Sequence, residues 1–151
     1  MSRRAGALLL VLLALAGACG RKTAPRPPEL VAPRPVGEVA LSSRADGVEV
    51  AWTRPTRYVD GSTMPDLGGF AIERQSFSTD FHEVARVPVT DRGRFQQATR
   101  FTWVDREVRP TMTYHYRVVA FTTDGYYSAP SGAAAITWAP PAASPTPERT
   151  P

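Results

Sequence analysis

The stretch Phe101-Thr102-Trp103-Val104-Asp105, the connection Arg106-Glu107-Val108-Arg109-Pro110-Thr111-Met112, and the run Thr113-Tyr114-His115-Tyr116-Arg117-Val118-Val119-Ala120 together decide the fold. Both outer parts have a period of two. Phe101 and Trp103 alternate with Thr102 and Val104, while Tyr114, Tyr116, Val118 and Ala120 alternate with His115, Arg117 and Val119. Successive side chains of a strand point to opposite faces, so this pattern marks strands that each bury one face.

The same period extends outward. Val48, Val50 and Trp52 alternate with Glu49, Ala51 and Thr53, and Phe70 and Ile72 with Ala71 and Glu73. Each run is short and ends at Gly, Pro, Asp or Ser, and no ten-residue stretch offers a capped helical stripe. The pattern predicts strands near 37–43, 47–53, 69–75, 82–87, 99–104, 113–122 and 131–138. Ala45-Asp46-Gly47 and Asp124-Gly125 are turn signals, and the loop from Arg54 to Gly68 is the longest. About seven strands in roughly 100 residues define an all-β chain with a single Greek-key β-sandwich over 37–138. Its core is expected to hold Trp52, Phe70, Ile72, Trp103, Tyr114, Tyr116 and Val118.

The flanks have a different composition. Residues 1–18 join Arg3 and Arg4 to an apolar run from Ala5 and end on Ala16-Gly17-Ala18, the layout of an export signal. The apolar stretch is short of the roughly 20 residues that a spanning helix needs. Residues 20–36 contain five prolines. Proline fixes φ and removes a backbone donor, so the segment reads as an extended polyproline II tether on the order of 40–50 Å long. Recognition by an aromatic groove, or contact of Arg26 and Arg34 with anionic head groups, are the alternatives. The tail 139–151 is Pro-rich, of low complexity, and expected to be disordered.

Two resemblances emerge from these residues. Cys19 is the only cysteine and comes directly after Leu15-Ala16-Gly17-Ala18, which resembles the lipobox of bacterial lipoproteins. That resemblance implies cleavage before Cys19, a diacylglyceryl group on its thiol and an N-acyl chain, of the palmitate class, on its amine. No other cofactor is implied. Gly20 stands where enteric inner-membrane lipoproteins carry Asp, so the implied destination is the outer membrane. Read without the resemblance, 1–18 is an ordinary secretory signal. In the middle, Trp52 with Pro55, Gly69-Phe70-Ala71-Ile72, Val108-Arg109-Pro110 before Tyr114, and Ser128-Ala129-Pro130-Ser131 resemble the fibronectin type III family, an immunoglobulin-like sandwich. The resemblance implies that Tyr114 forms the tyrosine corner, its hydroxyl bonding back to loop backbone. Thr111 and Met112 depart from the glycine and threonine usual there.

The residue inventory offers little chemistry. A hydrolase needs a nucleophile, a base and an orienting group. His82 and His115 have no Ser or Cys partner in a recognisable motif and read as surface residues. Metal-ligand spacing is absent, although Asp60 and Asp66 share a loop that could hold Ca²⁺. The net charge of +4 falls to +2 once Arg3 and Arg4 leave with the leader, and the remaining bases are scattered. A nucleic-acid binder shows a dense basic patch. Tyr58, Tyr126 and Tyr127 should share one end of the sandwich and are the candidate binding residues; the alternative is that one of the pair Tyr126 and Tyr127 simply packs on the sheet rim. The reading is a non-catalytic envelope lipoprotein that binds or scaffolds a protein or glycan. Its alternative is a structural spacer or assembly subunit, which an open face patch at Val119 and Phe121 would favour.

Overall fold

The computed structural model describes residues 27, 30–77, 80–91 and 97–141. The leader 1–18, Cys19, most of the tether and the tail beyond 141 lie outside them. Among the described residues seven strands form: β1 (Val39–Arg44), β2 (Gly47–Thr53), β3 (Leu67–Ser76), β4 (His82–Pro88), β5 (Arg100–Asp105), β6 (Thr113–Thr122) and β7 (Ala134–Thr137). They make two antiparallel sheets, ordered β1-β2-β5 and β4-β3-β6-β7. Among the described residues no helix is long and apolar enough to cross a membrane.

The inward side chains of both sheets meet in one core. Trp52 packs edge-on against Phe70 with ring centroids 5.3 Å apart, and Phe101 lies 4.9 Å from Phe70. Phe70, Ile72, Tyr116 and Val118 are wholly buried. Trp103 is only half-buried and packs on the margin of this cluster, because β5 is the open edge of its sheet. The turn into β2 requires glycine at position 47, where a Cβ would fall 2.0 Å from the Asp105 carbonyl oxygen.

The two ends of the sandwich are built differently. The β5–β6 connection and the chain exit form one pole. There Tyr114 does what the tyrosine-corner resemblance implies: its hydroxyl accepts the Arg109 N–H at 2.9 Å. Beside it the buried Asp105 accepts the Tyr116 hydroxyl at 2.8 Å, Arg74 Nη1 at 2.7 Å and the Glu107 N–H at 2.9 Å, tying the sheets together. Burial, with the Asp105 charge beside it, pushes the Tyr116 hydroxyl far above its ordinary value. Burial alone would lower the Arg74 pKa, but the Asp105 hydrogen bond and charge reverse this and raise it. Thr111, in place of the usual glycine, takes φ 65°. Its N–H bonds to the Trp138 carbonyl and Trp138 N–H to that of Met112, which holds the turn in this left-handed form.

At the opposite pole lie the β2–β3 and β6–β7 loops, joined by the Thr123 N–H to Asp66 carbonyl bond. Here the expected domain boundary moves. Residues 32–36, read as the end of the tether, are docked: Arg34 N–H bonds to the Arg57 carbonyl, Val59 N–H to that of Ala32, and Pro33 and Val36 are buried. Proline is tolerated here because the segment makes isolated edge contacts, Pro33 opposite Tyr58, where a missing donor costs little.

Candidate functional site

The three candidate tyrosines do reach one pole, in unequal states. Tyr58 is half-buried against the core, and its hydroxyl donates to Asp66 Oδ1 at 2.5 Å. It is a strut of the long loop, not the exposed contact that its loop position suggested. Tyr126 and Tyr127 are 38% and 47% exposed.

Their loop is held firmly. Gly125 takes φ 84°, and the tip closes on the buried Thr122, whose hydroxyl accepts the Tyr126 N–H and whose own N–H bonds to the Tyr126 carbonyl. Further on, Ser128 and Ser131 imitate a strand. Each gives its N–H to a β6 carbonyl, of Ala120 and Val118, and takes the N–H of the same residue on its hydroxyl oxygen. The Ser128-Ala129-Pro130-Ser131 signal is therefore a side-chain continuation of the ladder, which satisfies β6 backbone that no neighbouring strand reaches.

Tyr127 lies on the outer face of the four-stranded sheet, as the rim expectation had it for one of the pair. Its ring centroid is 5.7 Å from that of Phe121, and the Arg86 guanidinium stands over both rings at 5.2 and 5.8 Å. Arg86 also donates to the Tyr127 hydroxyl at 3.1 Å and forks onto Glu83 at 2.7 and 2.9 Å. These hydrogen bonds, Glu83 first, raise the Arg86 pKa. A second layer lies further along the sheet: Arg117 covers the Phe81 ring at 4.2 Å and pairs with Glu73. Planar guanidinium stacks on aromatic faces and still bonds carboxylates at its edge. Under these layers Ala71 and Val119 are buried, and Phe121 is half-covered. The face that would serve assembly through Val119 and Phe121 is thus occupied by the chain's own side chains.

A third loop is pinned to the same end of β2. Arg54 and Asp91, 37 residues apart, form an ion pair of 2.9 Å that is almost wholly enclosed. The Ala98 N–H bonds the same carboxylate, and this contact, helped by Arg54, holds Asp91 below its ordinary pKa. The sequence pattern contained no sign of this pair, nor of the Arg–aromatic layers, because each joins residues far apart in the chain. Asp60 accepts the Ser62 N–H at 2.8 Å and its hydroxyl at 2.5 Å, while Asp66 is taken by Tyr58. Among the described residues no three His, Cys, Asp or Glu side chains converge as metal ligands. His82 is exposed on β4, and His115 is half-buried on the outer face of β6.

No family model matches the sequence, and no curated protein matches it. Solved structures are similar. The twitchin kinase region from C. elegans matches with a TM-score of 0.51 at 17% identity over 71% of this chain and 17% of that one. This chain thus spans under a fifth of the twitchin chain, and the likeness is one of fold. A Fn3-like protein from Clostridium thermocellum matches with a TM-score of 0.49 at 15% identity, over 72% of this chain and 95% of that one. Domains from titin match at 0.47 and 23% identity, over 72% of this chain and 33% of that one. With three strands facing four in the order found, the chain is a β-sandwich of the fibronectin type III fold.

Proposed function

We propose that this chain is an exported lipoprotein, anchored through acyl chains on Cys19 and held off the membrane by the Pro-rich tether. Its sandwich is a non-catalytic module that binds or scaffolds an envelope protein or glycan, with the outer membrane as the proposed address. A fibronectin type III fold is in keeping with a binding or scaffold role. The observation that carries the reading is the pair Tyr126 and Tyr127, half-exposed on a loop fixed by Thr122, Ser128 and Ser131. Exposed aromatic rings on a pre-ordered loop give contact area with little entropy left to lose. The burial of Val119 and the cover over Phe121 weigh against the alternative of assembly through the sheet face.

The anchor obeys simple arithmetic. Each buried methylene contributes about 0.8 kcal/mol, and one acyl chain holds only marginally, so two or three are needed for lasting attachment. Cross-linking in cells that make the intact protein, followed by mass spectrometry, tests both parts. A specific envelope partner should be recovered, lost with Cys19→Ala and weakened with Tyr126→Ser/Tyr127→Ser. A mass for the mature protein without acyl groups would sink the anchor. Unchanged partner recovery in the double tyrosine variant would sink the loop assignment.

A further inference from the structure

At the corner pole the outer face of the four-stranded sheet opens into a groove of about 450 Å³. Phe77 and Met112 are apolar residues of its lining and Gln75, Thr113 and His115 polar ones, the Thr113 hydroxyl sharing a hydrogen bond with that of Thr137 and the other two side chains supplying N–H groups. Phe77 is 96% exposed, far more than any other large apolar side chain among the described residues. Thr111 stands on the rim in its left-handed conformation. For a β-branched residue that geometry is strained, and such strain persists only where the surroundings enforce it. Here the enforcing contact is the chain's own exit: the two backbone bonds between Thr111, Met112 and Trp138 deliver residue 139 to the edge of the groove.

Beyond Trp138 the chain runs Ala139-Pro140-Pro141 and then Ala142-Ala143-Ser144-Pro145-Thr146-Pro147-Glu148-Arg149-Thr150-Pro151. We propose that the groove is a binding site for a polyproline II segment, and that its occupant is this chain's own tail, residues 142–151. The chemistries match. A proline-rich strand offers apolar pyrrolidine faces and carbonyl acceptors with few N–H donors. The groove offers an uncovered aromatic ring for the first and side-chain donors for the second, the usual division of labour where aromatic-lined grooves take such segments. Reach is ample. Ten residues at about 3.1 Å each span roughly 30 Å, and a tether this short gives an effective concentration on the order of millimolar. A site with a dissociation constant below that concentration is then more than half filled.

The test compares amide NMR spectra of residues 19–151, with Cys19→Ala to exclude acylation, against the same chain ending at Pro141. Removing the tail should move the amide signals of Phe77, Thr113 and His115 and leave those of β1 and β2 in place. A synthetic peptide of residues 142–151 at millimolar concentration should return them. In the full chain Phe77→Ser should give the truncated pattern; at 96% exposure this ring is not needed for folding. Identical spectra with and without the tail overturn the proposal. Shifts that grow with protein concentration overturn its intramolecular form and assign the groove to the tail of a second copy.

Discussion

The loop pole and the corner pole are tied by different means. At the corner, one buried carboxylate, Asp105, gathers a guanidinium, a phenol and a backbone N–H, and the Tyr114 hydroxyl closes the next turn. At the loop pole the ties are separate: Arg54 with Asp91, Tyr58 with Asp66, and the Arg86 stack over Tyr127 and Phe121. A hub built on one buried carboxylate fails as a unit, since losing that carboxylate strands every group that bonds to it. Separate ties fail one at a time. The corner should therefore govern global stability, and the loop pole local order and recognition.

The largest expected effect lies at the hub. Asp105→Ala leaves Arg74 and Tyr116 without their shared acceptor and should cost about 3–5 kcal/mol in urea unfolding at neutral pH. A loss no greater than that of Asp91→Ala would break the comparison. Tyr114→Phe strands the Arg109 N–H and should cost about 1–2 kcal/mol by the same measurement. Thr111→Gly acts in the other direction. Relief of the left-handed strain outweighs the added freedom of glycine in the unfolded chain, for a gain of about 1 kcal/mol, read as a higher thermal midpoint.

The loop-pole effects are smaller and of another kind. The Asp91 carboxyl sits below its ordinary value of 3.8 in the folded protein, so its contribution is complete above that value and is lost as pH falls through the folded pKa. The midpoint difference between the wild type and Asp91→Asn should be constant from pH 5 to pH 7 and should narrow in more acidic solution. A difference that widens on acidification would refute the assignment. Tyr126→Ser should change stability by less than about 0.5 kcal/mol while reducing partner recovery, which separates recognition from folding.

The strands were legible because alternation is a local signal. All seven lie where the period of two places them, and β2 and β6 coincide with their expected bounds. Tyr114 was legible as well, through the resemblance of Val108-Arg109-Pro110 and the following Tyr114 to the fibronectin type III family. The failures are non-local. Tyr58 looked like a surface tyrosine until the fold brought Asp66 and Pro33 against it. Pro33 and Val36 looked like spacer because proline content speaks of backbone stiffness and not of what that backbone touches. Trp103 alternates correctly, yet an edge strand buries its inward face only in part. Thr111 departs from the usual glycine, and the departure was visible in sequence. Its outcome, a threonine held at φ 65°, depended on Trp138, 27 positions away.

The chain enters beside the β2–β3 loop and leaves at the Tyr114 corner, and β1 and β7 run in the same direction between them. Tension applied between the two termini would thus act along the strands. The six register pairs that join β1 to β2 would carry that load simultaneously, in shear, where a hairpin pulled from its open end would lose them in succession. Mechanically the domain is a stiff link, which resists extension until a whole ladder slides.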